Sequence, residues 1–288
     1  MTNAEKLGGR FTFPGTSLTV HRMGYGAMQL AGPHVWGPPR DPAQAAAVLK
    51  EAIATGIDHI DTCDYYGPHV VNQLIEATLH PYPKGLVLVT KIGARRPDAM
   101  SWVPALSPAE IRSGIADNLR NLGLPALEVV NLRMMGMTPE EGPIEDKLSV
   151  FMELKKEGLI RNIGLSNVTA RQVAAARKLT DIVCVQNHYN LAHRGDDALI
   201  DALAEDGIAY VPFFPLGGFS PLQSGVLDAV AKELAATSMQ VALAWLLQRA
   251  PNILLIPGTS SLAHLRENIA AASLRLPAKA VAALDGMG

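Results

Sequence analysis

The chain reads as an α/β protein, a closed (β/α)8 barrel of the TIM type with an N-terminal β-hairpin closing the barrel bottom. Three observations lead there. Short β-branched runs alternate with amphipathic segments of helical period along all 288 residues. The runs are nearly continuous in apolar residues rather than alternating, as strands covered on both faces must be. No G-x-G-x-x-G follows the first run, so the open doubly wound sheet, the alternative architecture, lacks its dinucleotide-binding signature.

Taken in order, Phe11–Phe13 and Leu18–Val20 flank Pro14-Gly15-Thr16-Ser17, a turn sequence that makes them a hairpin. Strand candidates follow at Met23–Gly26, Ile57–Asp61, Leu86–Lys91, Leu127–Leu132, Ile160–Leu165, Asp181–Gln186, Ile208–Val211 and Ile253–Ile256. The first is glycine-rich and rests on its place in the series. Val48, Leu49, Ala52 and Ile53 line a helix that stops at Gly56, and Leu148, Phe151 and Leu154 line one that stops at Gly158. Ser107-Pro108-Ala109-Glu110 is a capping box ahead of Ile111, Ile115, Leu119 and Leu122 on one helix face. Thr169–Gln172 and Thr237–Gln240 have the same form. No linker, repeat or low-complexity segment interrupts the chain, so residues 1–288 are expected to form one domain.

Composition narrows the function. A net charge of −2 without any block of like charge disfavours nucleic acid or anionic membrane as partners. Cys63 and Cys184 lie in or beside apolar runs and read as buried structural thiols, with neither a disulfide framework nor a metal site expected. Met1 to Arg10 is polar, and no apolar run nears the ~20 residues of a membrane span. A cytoplasmic protein is the expectation.

In such a barrel, chemistry sits at the C-terminal ends of the strands. Those ends carry Asp61 with Tyr66 just beyond, Lys91, Arg133, Ser166 with Asn167, Gln186, Phe213 with Phe214, and Gly258 with Thr259. Singly, Asp61 could cap a helix, Lys91 snorkel to the surface and Gln186 be a satisfied core amide. Together they make a polar mouth that packing does not explain. An acid, a phenol and an amine at neighbouring strand ends are a proton donor whose acidity can be tuned. By residue type alone, Tyr65 competes with Tyr66 for that role.

Ile60 to Gly67, Lys91, Gly164 to Asn167, Gln186 with Tyr189-Asn190, Pro215 to Gly217, and Pro257 to Ser260 with Glu267-Asn268 resemble the aldo-keto reductases, from Phe11 to about Ala271. The resemblance implies NADP(H), hydride transfer and reduction of a carbonyl. It makes Tyr66, immediately before the glycine, the proton donor. Lys91 is then expected to lower the phenol's pKa, and Asp61 to hold Lys91 charged and in place. Where most of the family has histidine at the end of the fourth strand, this chain has Arg133. We expect Arg133 to polarise the carbonyl or pair with an anionic substrate group; the alternative is that it turns away to a neighbouring carboxylate. By the same resemblance Ser166, Asn167 and Gln186 hold the nicotinamide carboxamide, and Phe213 stacks on its ring, or Phe214 if the register differs by one. Pro215, Leu216, Gly217 and Gly218 approach the pyrophosphate, and Gly26, Ala27 and Met28 the ribose. Gly258, Thr259 and Ser260 precede a helix whose N-terminus suits a 2′-phosphate, with His264 nearby and Glu267 and Asn268 placed for adenine. Many relatives carry lysine at the position of Gly258 and arginine at that of His264, departures that bear on NADPH against NADH.

The substrate loops are Ala31 to Pro39 with Trp36, Gly93 to Arg96, and Trp102. An aromatic wall beside arginines suits a flat, polar ring; alternatively Trp36 seals a loop, and Arg95 and Arg96 are solvated charge. Val35 to Pro39, Val129 to Arg133 and Val211 to Gly218 resemble the bacterial pyridoxal-reducing branch of the family. That implies NADPH-dependent reduction of pyridoxal to pyridoxine, with Arg133 facing the phenolic oxygen. A broad-specificity aldehyde or 2-oxoaldehyde reductase, and a non-catalytic NADPH-binding sensor or auxiliary subunit, are the other readings.

Overall fold

The hairpin forms where its turn sequence places it. In the computed structural model, which describes residues 7–218 and 222–287, strands β1 (Arg10–Thr12) and β2 (Thr19–His21) pair antiparallel with Phe11 opposite Val20. The Thr16 hydroxyl donates to the Phe13 carbonyl at 2.9 Å, fixing the turn. Phe13 and Val20 are buried in an apolar cluster with Val87, Val129, Val183, Val211 and Leu254, separate from the larger core of the sheet and its helices. The hairpin is therefore the floor of the barrel interior.

Seven parallel strands build the wall. They are β3 (Tyr25–Gly26), β4 (His59–Asp61), β5 (Val87–Ile92) and, after a small antiparallel flap of β6 (Ala94–Arg95) and β7 (Val103–Pro104), β8 (Leu127–Arg133), β9 (Ile160–Ser166), β10 (Ile182–Gln186) and β11 (Ala209–Tyr210). Their order in the sheet is the order of the chain, the sequential right-wound pattern of parallel strands joined by helices. The first and seventh strands are shorter than their apolar runs.

The eighth expected strand, Ile253–Ile256, is a correction. It pairs only through isolated bridges, Tyr210 with Ile253, Met23 with Leu255 and Gly26 with Gly258. These still close the ring: Leu254 N–H donates to Tyr210 at 2.9 Å, Leu255 N–H to Arg22 at 2.7 Å and Gly24 N–H to Leu255 at 2.8 Å. Pro257 has no N–H with which to extend the ladder. The seam is also too tight for side chains. A Cβ on Gly26 would lie 2.4 Å from the Ile256 carbonyl oxygen, and one on Gly258 2.7 Å from that of Gly26.

Helices cover the outside. α1 (Pro42–Ala54) is capped by Asp41, and the chain turns at Gly56 with φ +98°. After α2 (Val70–Leu79), the three expected capping boxes begin α3 (Pro108–Leu122), α5 (Ala170–Arg177) and α8 (Ser238–Arg249), with α4 (Glu145–Lys156), α6 (Asp197–Glu205) and α7 (Gly225–Glu233) between them. α9 (Leu262–Ala271) and α10 (Ala278–Asp285) complete the set. Among the described residues no helix is long and apolar enough to cross a membrane.

Candidate active site

Asp61 ends β4, and Lys91 lies on β5 two residues past Val89, the register partner of Asp61. Side chains two apart share a strand face, so the amine reaches the carboxylate. Lys91 Nζ donates to Asp61 Oδ1 at 2.7 Å and to the Thr62 carbonyl at 2.8 Å. Gln186 Nε2 donates to Asp61 Oδ2 at 2.8 Å. Asp61 and Lys91 are each 4% exposed. A buried ion pair is tolerable only with its remaining bonds filled, and here both carboxylate oxygens are.

Lys91 Nζ sits 5.1 Å from the centre of the Tyr66 ring. Of the two tyrosines, Tyr66 is the one whose ring this ammonium faces among the described contacts. Tyr65 stands edge-on to Tyr66 at 5.7 Å and to Trp102 at 5.8 Å. Gly67, which follows the phenol, has φ +76°, and a Cβ there would meet the Gly37 carbonyl oxygen at 2.8 Å. The glycine lets the Trp36 loop close onto Tyr66, and Gly67 N–H donates to Val35 across it at 3.1 Å.

Burial pulls the Lys91 ammonium down, but Asp61, followed by Tyr66 and Cys63, raises it above the ordinary lysine value, so it is charged. The expected lowering of Tyr66 is overturned on balance. Burial pushes the phenol up to about 12; Lys91 opposes this, while Asp61 and Cys63 add to it. Tyr66 is a neutral phenol beside a fixed cation.

Arg133 does not turn away to a carboxylate. Its Nη1 donates to Ser166 Oγ at 3.0 Å and its Nη2 to the Gly136 carbonyl at 3.4 Å, and the guanidinium lies 5.1 Å from the centre of Phe213. Ser166 is thus engaged with Arg133. Asn167, at φ +56°, spends its amide N–H groups on the loop after β8, including the Met135 carbonyl at 3.0 Å. The side-chain oxygens of Asn167 and Gln186 are buried and have no hydrogen-bond partner among the described residues.

Phe213 stacks on His188 at 5.5 Å with the ring planes 14° apart, and His188 stacks on His193 at 3.9 Å. Burial, then His193, lowers His188 to about 4. This pair of stacked imidazoles behind Phe213 carried no signal in the sequence. Phe214, at φ +54°, is edge-on to Phe213, and its ring fills the space a Cβ on Gly218 would need. Of the Pro215–Gly218 turn, Gly217 donates its N–H to the Phe214 carbonyl at 3.0 Å, and Leu216 accepts from Leu222 N–H.

Gly258, Thr259 and Ser260 precede α9, as expected. Gly258 has a structural cause, the barrel seam. Thr259 is buried and accepts the Tyr25 hydroxyl on its carbonyl at 2.6 Å. Ser261 caps α9, accepting the His264 N–H, and His264 is exposed. Glu267 accepts the Thr237 hydroxyl at the start of α8, so its carboxylate joins two helices. Asn268 is buried. Gly26 and Ala27 are buried; Met28 and Ser260, from opposite ends of the sequence, line one cleft of about 470 Å³ with His34, Arg40 and Gln44.

Arg95 is exposed beside Glu110 at 3.5 Å. Arg96 is buried beneath Trp36 and Trp102, against the solvated alternative. Asp64, His69 and Asp117 bring ligand-type atoms within 4.8 Å of one another, a cluster the sequence did not suggest. Asp64 and His69 already bond each other at 2.8 Å, and Asp117 bonds Arg120.

Known proteins resemble the chain over nearly its whole length. The model of the aldo/keto reductase family matches residues 22–288. The chain is 63% identical over 279 residues to the pyridoxine 4-dehydrogenase of Escherichia coli (strain K12), covering 96% of this chain and 98% of that one. A thermostable aldo-keto reductase solved with the inhibitor epalrestat superposes with a TM-score of 0.82 at 28% identity, covering 97% of this chain and 99% of the other. An aldo-keto reductase of Klebsiella pneumoniae solved with NADPH shares the fold, with a TM-score of 0.78 at 23% identity and coverage of 96% and 94%.

Proposed function

The chain belongs to the aldo/keto reductase family, and from that premise we propose that it reduces pyridoxal to pyridoxine with NADPH. The observation that carries carbonyl reduction is the buried Asp61–Lys91 pair set against the Tyr66 phenol. The choice of pyridoxal follows the relative that is 63% identical.

NADPH, when bound, supplies the hydride to the aldehyde carbon. The unpartnered side-chain oxygens of Asn167 and Gln186 suit the N–H groups of its carboxamide, and Phe213 offers a ring face backed by His188. The amino end of α9 with His264 in its first turn supports a phosphorylated ribose.

Tyr66 gives its proton to the carbonyl oxygen as that oxygen gains charge. At about 12 the phenol is protonated at neutral pH yet more acidic than an alcohol, so transfer to a developing alkoxide runs downhill. The phenolate left behind would be a costly buried anion, and the ammonium of Lys91 offsets that cost. Asp61 keeps the ammonium charged, and solvent restores the phenol proton. Among the described residues Arg133 uses two of its five N–H donors, which leaves others for the phenolic oxygen beside the pyridoxal aldehyde.

Steady-state kinetics test the proposal. The kcat/KM for pyridoxal should exceed that for benzaldehyde, Tyr66→Phe should cost on the order of 10²–10⁴-fold, and Arg133→Ala should lower the pyridoxal-to-benzaldehyde ratio. Benzaldehyde reduced as well as pyridoxal would remove the substrate, and even turnover across many aldehydes would mark a broad-specificity reductase. Binding of NADPH without turnover would mark a sensor or auxiliary subunit.

A further inference from the structure

Arg96 takes no part in the chemistry above, yet it is only 6% exposed. Every hydrogen bond it makes among the described residues goes to a backbone carbonyl. Nη1 donates to His34 at 2.8 Å and Val35 at 2.6 Å, Nη2 to Ala99, and Nε to Ser101 at 3.4 Å. The nearby carboxylate of Asp98 is occupied with the N–H groups of Met100 and Ser101 and the Ser101 hydroxyl. Burying a guanidinium with no carboxylate hydrogen-bonded to it is an expensive way to hold two loops together. The cation instead meets aromatic faces, its carbon lying 5.5 Å from the centre of Trp36 and 4.1 Å from that of Trp102.

A second observation concerns the loop it grips. His34 and Val35 have φ +59° and +58°, and a β-branched residue in the left-handed region is a true outlier. Such strain persists only where surrounding contacts enforce it, and it gathers at functional sites. The carbonyls of these two residues are the ones that accept from Arg96 Nη1. The Val35 carbonyl also accepts Gly67 N–H at 3.1 Å, so the clamp ends one residue from Tyr66. From the other indole, Trp102 meets Tyr65 edge-on, and Tyr65 meets Tyr66.

We infer that Arg96 is a specificity-determining positioning residue: by clamping the His34–Val35 and Ala99–Ser101 segments it fixes Trp36 and Trp102 as the rigid wall against which a flat aromatic aldehyde is oriented. The inference rests on the carbonyl-reductase reading and adds the residue that sets its selectivity. A ring that lies against the wall depends on its rigidity; a small aliphatic aldehyde touches it little.

The experiment compares pyridoxal, benzaldehyde and propanal with wild type, Arg96→Ala, Arg96→Lys and Trp102→Leu. In Arg96→Ala the KM for both aromatic aldehydes should rise on the order of tenfold, the scale of lost pocket contacts, and kcat/KM for propanal should fall much less. Arg96→Lys should lie between, because an ammonium cannot span both segments as the guanidinium does. Trp102→Leu removes one aromatic face and leaves the backbone bonds of Arg96; it should shift selectivity in the same direction and carries the test if Arg96→Ala fails to fold. Losses in equal proportion for all three aldehydes, with no shift in Trp102→Leu, would show a purely structural staple and overturn the inference. The wild-type ratio of pyridoxal to benzaldehyde tests the substrate reading separately, since either aromatic aldehyde against propanal reports on Arg96.

Discussion

Replacing Lys91 with methionine keeps an unbranched side chain one atom shorter and deletes its charge. Asp61 then loses the 2.7 Å ion pair in a place where both side chains are 5% exposed, retaining only the 2.8 Å bond from Gln186. Removing one partner of a buried pair costs about 3–5 kcal/mol, because an uncompensated charge stays behind. Asp61→Asn with Lys91→Met deletes both charges and leaves no uncompensated ion, so the double variant should recover most of that cost. Urea unfolding followed by circular dichroism measures this, with an unchanged m-value as the check on two-state behaviour. Activity should separate from stability. Both variants lose the cation that offsets the Tyr66 phenolate, so each should fall on the order of 10²–10⁴-fold in kcat, the stable double variant included. Equal stability of single and double variants would show that Asp61 carries no burden of unpaired charge, and a double variant with restored turnover would refute the role given to Lys91. The pair's pH dependence has a definite sign. The Lys91 value is raised on folding, so its contribution is whole below the unfolded lysine value near ~10.4 and is lost only as pH climbs through the higher folded one.

Tyr66, held at about 12 chiefly by burial, should make reduction independent of pH from about 6 to 10, while alcohol oxidation, which needs the phenolate, rises roughly tenfold per pH unit; a reduction rate falling near neutrality would contradict this. Gly258→Lys restores the residue many relatives carry, but its Cβ would lie 2.7 Å from the Gly26 carbonyl oxygen. It should therefore destabilise by about 1–3 kcal/mol without tightening NADPH, as read by thermal unfolding and by fluorescence titration; tighter binding at unchanged Tm would reverse the explanation. His59 is buried, and burial lowers it to about 4 against the opposing pull of Asp58 and Asp61. Its neutral state stabilises fully above the unfolded value near ~6.5, and this is lost as pH falls toward 4. Between pH 7 and 5 wild type should lose about 2 kcal/mol more than His59→Leu in urea unfolding, and parallel losses would assign the acid sensitivity elsewhere.

What could be read from the sequence was what depends on near neighbours or on burial on both faces. The capping boxes at Ser107, Thr169 and Thr237 span three residues each and form as expected. Asp61, Lys91 and Gln186 announced themselves because each ends an apolar run, and parallel register then brings them together. What stayed hidden depends on distant partners. Two adjacent arginines look alike in sequence, but Arg96 is buried by carbonyls about sixty residues earlier, while Arg95 stays in solvent. The bond from Thr237 to Glu267 was equally hidden, since the two lie on different helices thirty residues apart. The eighth strand shrank to bridges because its hydrogen-bonding partners are set by the seam at Gly26 and Gly258 rather than by its own apolar character. The sign of Lys91's effect on Tyr66 was legible; its defeat by burial was not, since desolvation is a property of the assembled mouth.

Three cations surround this mouth, and each is accommodated differently, which divides their work. Lys91 is locked by a carboxylate, so its charge is spent on Tyr66 and Asp61. Arg96 is locked by carbonyls and indoles, so its charge is spent on loop geometry. Arg133 is held more loosely, by one hydroxyl, one carbonyl at 3.4 Å and the face of Phe213, and is half-buried. With Asp61 neutralised by Lys91, the mouth is left locally positive in a chain whose net charge is −2. On the proposed reading, a substrate that brings a negative oxygen beside its aldehyde would meet in Arg133 a cation that, among the described residues, has N–H groups left over, and that match, more than the aldehyde itself, is what should separate pyridoxal from other aromatic aldehydes.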